Sequence, residues 1–508
     1  MRSSLGWLYA AALFTAVPAH SAWYRAASKH FVIYADESPK QLQEFASKLE
    51  RFDQAARISM SMADPQVGDG NRLTVFVVPT EKDVHLIMGD KKAWQAGFYT
   101  GRVQGSLAYV PRKTESMDDP DALFFHEYTH HLMMQDLDRP YPEWYVEGFA
   151  EFLSTAKFDN DGSVWFGQPL QSRAYSLLNM NPPSFEQLAA GLQGKMTDVD
   201  LDAFYGRSWL LTHYLLLEPK RSGQLIRYLN ALGKGEPSMQ AAREVFGDLK
   251  QLDGELNKYV TERMLAFKIG GQRIKIGDID VQPLSAGASQ VIMSRAKVKY
   301  GYEGQAAEAL AAQVRGIESQ YMGDELVEST LAEAELEADH PDAAEAAAVR
   351  ALAANPHSTE AMVLKARAIE DSAKGADGGA RKNLFEQARE EFIAANKIDT
   401  EDPEPLYDYY WSYLQEGIRP TDNAIAALHY ASDLAPQDIG VRMNSAIAYV
   451  EDGKFNEASD TLKVVAYSPH AGQAAEAAKR VIGDLDAGKG KESLKDLDSG
   501  SDTKKDAH

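Results

Sequence analysis

The chain has 508 residues, 44% of them apolar and 25% charged, an ordinary balance for a soluble globular protein with material for two to four domains. Its formal net charge is −22, with most of the acid excess beyond residue 285, which argues against nucleic acid and anionic lipid as partners of that half. There is no cysteine, so disulfides and thiolate metal ligands are excluded.

The first residues carry Arg2, an apolar run from Leu5 to Val17, and then Pro18-Ala19-His20-Ser21-Ala22. A basic start, an apolar middle and small residues at the end make a secretory signal over residues 1–22, cut after Ala19 or after Ser21. The run is too short to span a bilayer, and no later stretch is long and apolar enough to do so. Export without disulfides points to a bacterial periplasm or the surrounding medium.

His30 to Ala35 is expected as a strand. Ser38 with Gln41 makes a capping-box start, and Leu42, Phe45, Leu49, Phe52 and Ala56 continue the helix at helical spacing. Leu73 to Val78, apolar throughout, reads as a central strand, and Thr80 to Asp83 opens another helix. Gln95 to Val110 places Gly97, Gly101 and Gly105 between aromatic and branched residues and reads as a hairpin or two short strands.

Asp118-Asp119-Pro120 then starts an apolar helix bearing Leu123, Phe124, Phe125, Leu132 and Met133. Within it stands His126-Glu127-Tyr128-Thr129-His130. Two histidines four apart lie about 40° apart around a helix and about 6 Å apart along it, so both imidazoles reach one metal ion. Glu127 lies between them, within reach of a water on that ion. After a short polar link, Gln135 to Arg139, a second helix begins at Pro142 and carries Trp144-Tyr145-Val146-Glu147-Gly148-Phe149-Ala150-Glu151. A short link forces the two helices to pack together and returns Glu147 toward the histidines. Three protein ligands with one open position is what a catalytic zinc site requires, so His126, His130 and Glu147 are expected to hold one zinc ion. The histidine pentad alone is a weak motif, and the downstream glutamate sharpens it. His131, rotated about 100° from His130, faces elsewhere.

This arrangement resembles the gluzincin metallopeptidases, which share the thermolysin type of site. The resemblance implies Glu127 as general base and Glu151 as support for a zinc histidine from behind. It implies an α+β zincin-like domain, a small mixed sheet leading into a helical lobe, with a sheet-edge strand that pairs with substrate backbone. Ala108 and its neighbours are that edge by analogy, although an ordinary hairpin fits them as well. The helical stretch from about Phe185 to Phe267 corresponds to the far wall of the cleft. There Tyr205, with His213 behind it, is the candidate to hydrogen-bond an oxyanion, and each also reads as a packing residue in an apolar run. The spacing from His130 to Glu147 is shorter than in the best-known members, which leaves the subfamily open.

Gln272 to Leu284 alternates briefly like a strand and marks the boundary. Beyond it the chain turns rich in alanine and glutamate, and Pro356, Pro403, Pro436 and Pro469 recur after similar phrases. The last two intervals are near the period of tetratricopeptide repeats, and the first is lengthened around Lys374 to Gly379. With Phe455-Asn-Glu-Ala458, this resembles four to five such repeats. The expected organisation is a signal at 1–22, the metallopeptidase domain at 23–270, a linker at 271–287, an all-α repeat solenoid at 288–485 and a disordered tail at 486–508. The repeats' groove would bind a peptide or partner protein. The functional expectation is a zinc-dependent peptidase acting on peptide or protein substrates. The rival is an exported repeat scaffold with a relic, inactive zinc site, and a third reading is a repeat-bearing peptidase of envelope-protein quality control.

Overall fold

The structure is a computed structural model that describes residues 23–89, 97–114, 119–135, 141–170, 173–179, 181–191, 197–468 and 471–495. The expected signal and the end of the expected tail lie outside these, as does most of the 135–139 link.

Six strands form the main sheet: β1 (Tyr24–Ala27), β2 (Phe31–Ala35), β3 (Leu73–Thr80), β4 (Phe98–Thr100), β5 (Leu107–Lys113) and, from beyond the first 250 residues, Asp280–Pro283. Their order is β4-β5-β3-β2-β1 and then Asp280–Pro283. β2, β3 and β5 are parallel neighbours, with Ile33 beside Val75 and Val75 beside Ala108. β4 and β1 run antiparallel to β5 and β2. The parallel crossovers are made by α1 (Pro39–Met60) and by α2 (Glu81–Met88). α1 begins at the expected capping box, Ser38 exchanging hydrogen bonds with Gln41. Because side chains alternate across a strand, the sheet has two apolar faces. Phe31, Ile33, Val75, Val77, Ala108 and Val110 pack on one face against α1, α3 (Pro120–Gln135) and α4 (Glu143–Ser154). Val32, Tyr34, Phe76, Leu107 and Tyr109 pack on the other.

A second, three-stranded antiparallel sheet joins β6 (Lys157–Phe158), β7 (Val164–Phe166) and β8 (Phe267–Ile269). Between its strands runs the helical lobe: α5 (Ala174–Asn179), α6 (Phe185–Ala190), α7 (Asp198–Leu217), α8 (Gln224–Gly233), α9 (Ser238–Phe246) and α10 (Leu249–Tyr259). The stretch expected as a linker contains β9 (Asp280–Pro283), which pairs antiparallel with β1 and closes that end of the main sheet. The first unit therefore continues to residue 283.

From Ala286 the chain is a succession of helices: α11 (Ala286–Tyr300), α12 (Gly304–Tyr321), α13 (Glu325–Glu337), α14 (Pro341–Ala354), α15 (Thr359–Ala373), α16 (Gly378–Ile398), α17 (Pro403–Glu416), α18 (Asp422–Leu434), α19 (Ile439–Glu451), α20 (Phe455–Ala466) and α21 (Gly472–Asp486). Each packs on the next, and α11, α13, α15 and α17 also touch in series, which makes them one layer of a two-layer helical solenoid. The small residues Ala307, Ala311, Ala347, Ala348 and Ala388 are buried and let the helices approach closely. Residues 490–494, assigned from sequence to the tail, form a 3-10 turn after α21.

The solenoid is not a separate appendage. Ile292 and Ala296 of α11 complete the outer face of the sheet. Val103, from the loop between β4 and β5, is buried among Leu406, Tyr410, Leu428 and Val441. Asn71 Nδ2 donates to Leu434 O at 2.8 Å, and Val103 N to Asp438 Oδ2 at 2.7 Å. Part of the repeat surface is thus covered by loops of the first unit.

Candidate metal centre

α3 and α4 pack side by side, and the point of contact is fixed by close approach of α4 to α7 on its other side. Gly148 lies against the α7 backbone: a Cβ there would stand 2.3 Å from Ser208 O and 2.5 Å from Thr212 Oγ1. Only glycine permits this spacing, and it presents the flanking Glu147 and Glu151 toward α3.

There His126, His130 and Glu147 converge. Nε2 of His126 and Nε2 of His130 are 3.1 Å apart, and Glu147 Oε2 lies 3.4 Å from the first and 3.5 Å from the second. Ligand atoms held about 2.05 Å from a tetrahedral zinc stand about 3.3 Å apart, so these three points fit one face of that tetrahedron. Glu147 is 2% exposed and His130 5%. A carboxylate so deeply buried is costly without positive charge nearby. Burial works to raise the pKa of Glu147, but the field of His130 and hydrogen bonds from both histidines outweigh it and hold the carboxyl well below its usual range. Burial likewise works against charge on His126, yet its bond to Glu147 and the fields of Glu151 and Glu127 push it up to about 9. The donor set of two imidazoles and one carboxylate, with the further carboxylates Glu127 and Glu151 nearby, fits a divalent cation.

The surrounding groups sort the other candidates. Glu151 Oε1 lies 4.0 Å from His126 Nδ1 and is gripped by Arg173, whose Nη2 donates at 2.8 Å and Nε at 3.3 Å. Arg173 Nη1 also donates to Asp202 Oδ1 at 2.6 Å. Tyr205 presents its ring to the ring of His126 edge to face, centroids 6.3 Å apart, with the Arg173 guanidinium 5.4 Å from its own centroid. Burial and the fields of Glu147 and Glu151 raise the Tyr205 hydroxyl far above its usual range, so it stays a neutral donor. Glu127 lines a small apolar recess with Tyr99, Val110, Leu123 and Phe124, between β4, β5 and the first turns of α3.

Two expectations are corrected. His213 is fully buried and turned away: its Nε2 meets Gly167 O at 3.0 Å and Leu265 O at 3.1 Å, and its Nδ1 meets Tyr259 Oη at 3.0 Å. It sits two turns beyond Tyr205 on α7 and ties three segments together, its ring held neutral chiefly by burial. Ala108 is not at a sheet edge, because β5 lies between β3 and β4. The end strand is β4, Phe98–Thr100.

Sequence reasoning gave no sign of Arg173, Asp202 or Tyr99, each a lone residue of common type far from the motif. It also missed a buried polar cluster behind α3. Asp53 accepts from Tyr128 Oη at 2.8 Å and from Arg57 Nε at 2.9 Å. His30 joins it, with Nδ1 2.8 Å from Glu50 Oε2 and 3.5 Å from Asp53 Oδ2. His30, Glu50 and Asp53 also have the spacing of a metal-ligand group, but Arg57 and the His30 imidazole already supply their positive charge, so they anchor α3 instead.

No family model and no curated protein matches the chain. Among solved structures it is similar to a thermophilic TPR protein of Thermus thermophilus, at 17% identity and a TM-score of 0.32, over 38% of this chain and 97% of that one.

Proposed function

We propose that the chain is a zinc-dependent peptidase with His126, His130 and Glu147 as metal ligands and Glu127 as general base. The observation that carries this reading is the triangle of three ligand atoms, 3.1 to 3.5 Å on a side, with a further glutamate on the same helix turn. The gluzincin-like order of these residues adds to it. Zinc bound there supplies a Lewis acid for a water and for a substrate carbonyl. Glu127 takes the proton of the attacking water and delivers it to the leaving amine. Tyr205, kept neutral by burial, donates its hydroxyl to the developing oxyanion. Arg173 holds Glu151 beside His126 and so limits the swing of that imidazole. The end strand β4 offers backbone groups to an extended peptide. The signal-like start and the lack of cysteine support a periplasmic or extracellular setting for this activity, and mass measurement of the mature protein after expression of the full sequence checks the cut near residue 22.

The deciding experiment is Glu127→Gln. The variant should keep one zinc per chain by metal analysis and lose hydrolysis of a peptide library read by mass spectrometry, by about 10²-fold or more. Equal cleavage by variant and parent would refute the assignment of the base. A parent that takes up no zinc at saturating metal would favour the exported repeat scaffold.

A further inference from the structure

The phenol oxygen of Tyr99 sits between α3 and the solenoid-bound loop after β4. A chain of donors ends on it from the α3 side, and the loop packs against it from the other. On one side, Arg57 Nη2 donates to Gln135 Oε1 at 3.2 Å. An arginine is always a donor, so this fixes the orientation of the Gln135 amide. Its Nε2 then donates to His131 Nε2 at 3.0 Å, which leaves the proton of the neutral imidazole on Nδ1, 2.7 Å from Tyr99 Oη. On the other side, Gln437 Nε2, from the turn between α18 and α19, donates to Ser106 Oγ at 3.1 Å, at the end of the loop that follows Tyr99. The loop between Tyr99 and Ser106 is pinned to the same turn by Val103 N on Asp438 Oδ2. It fits without slack: a Cβ on Gly101 would stand 2.7 Å from Gln437 Cγ and 3.0 Å from Tyr99 Oη.

Tyr99 lies on β4, the end strand, and His131 directly follows the metal-ligand candidate His130. Resting on the peptidase reading for its consequence, we propose that the solenoid sets the position of β4 against the metal helix, with Tyr99 and His131 as positioning residues. The repeats then regulate the site from within the chain: whatever loosens the α18–α19 turn loosens the strand that receives substrate.

The test uses the full-length chain. In Gln437→Ala with Asp438→Asn, amide hydrogen exchange at residues 98–100 and 126–135 should rise about tenfold, although both changes lie on the solenoid. Tyr99→Phe, a milder change, should reproduce the rise at 126–135. Both variants should retain zinc and raise KM for a peptide several-fold while changing kcat less, and His131→Gln should recover part of the loss seen in His131→Ala. Unchanged exchange at 98–100 in the solenoid variant, or at 126–135 in Tyr99→Phe, overturns the proposal. If the parent cleaves no peptide, the peptidase reading falls alone, because the exchange measurements still decide the coupling.

Discussion

Arg173 shows how a single side chain sets the conditions at this site. Its guanidinium bonds Glu151 and Asp202 and lies over the ring of Tyr205, so one residue orients a carboxylate behind His126 and the candidate oxyanion donor. Replacing it with Ala leaves Glu151 buried without its cation. Arg173→Ala should weaken zinc binding about 10- to 100-fold by competition with a chelator, and Glu151→Gln should do so by less. His213 makes the contrast. It is as buried as any ligand, but its three hydrogen-bond partners all belong to the scaffold, so its worth is in joining α7, α10 and the loop after β7.

Among elements, the crossing of α4 on α7 decides where the candidate ligand Glu147 stands. Gly148 lets the two helix backbones come close, and a methyl group there meets Ser208 O, which cannot move without displacing α7. Gly148→Ala should destabilise the fold by about 1–3 kcal/mol in chemical denaturation and should also lower zinc affinity, because α4 must shift and carry Glu147 with it. A loss of stability with unchanged zinc affinity would mean that α7 moves instead. On the opposite side, α3 is held by Tyr128 and Gln135 to the Asp53 and Arg57 pair of α1. α3 is thus held from behind by these polar contacts as well as by the apolar packing of Phe124, Phe125, Leu132 and Met133.

At the scale of the molecule, the layer formed by α11, α13, α15 and α17 is a ladder of paired charges. Arg295 bonds Glu360, Lys299 bonds Glu333 and Glu360, and Arg367 bonds Glu404 and Asp408. Carboxylates outnumber cations there. Burial first, and neighbouring acids after it, push Glu404 up to about 7, and burial with the field of Asp408 pushes Glu370 up to about 8. Glu370 Oε1 is buried with no hydrogen-bond partner among the described residues. Acids whose pKa is raised in the folded state keep protons that the unfolded chain gives up, so their contribution to stability declines as pH rises from the ordinary carboxylate range through about 8. Glu370→Gln, nearly isosteric with the protonated form, should raise the melting temperature at pH above 8 and change it little near pH 5. A gain of equal size at both pH values would show that charge on Glu370 is not what costs stability.

The features legible in the residues alone are local in kind. The i,i+4 pair His126 and His130, the capping box at Ser38, the start of α4 after Pro142 and the proline-spaced helices all follow from dihedral preferences and the helical period, which act over a few residues. Glu147 was reachable because a short link leaves two helices little choice but to pack. The features settled only by folding depend on partners far along the chain. A sequence does not state which of two short strands ends a sheet, so β4 and not β5 became the edge only through the pairing of β5 with β3. It does not distinguish a histidine facing a cleft from one bonded to distant carbonyls, so His213 was decided by Gly167, Leu265 and Tyr259. Tyr99, Arg173 and the seating of loop 101–106 on the solenoid arise from contacts between segments dozens to hundreds of residues apart, and no periodicity or spacing encodes these.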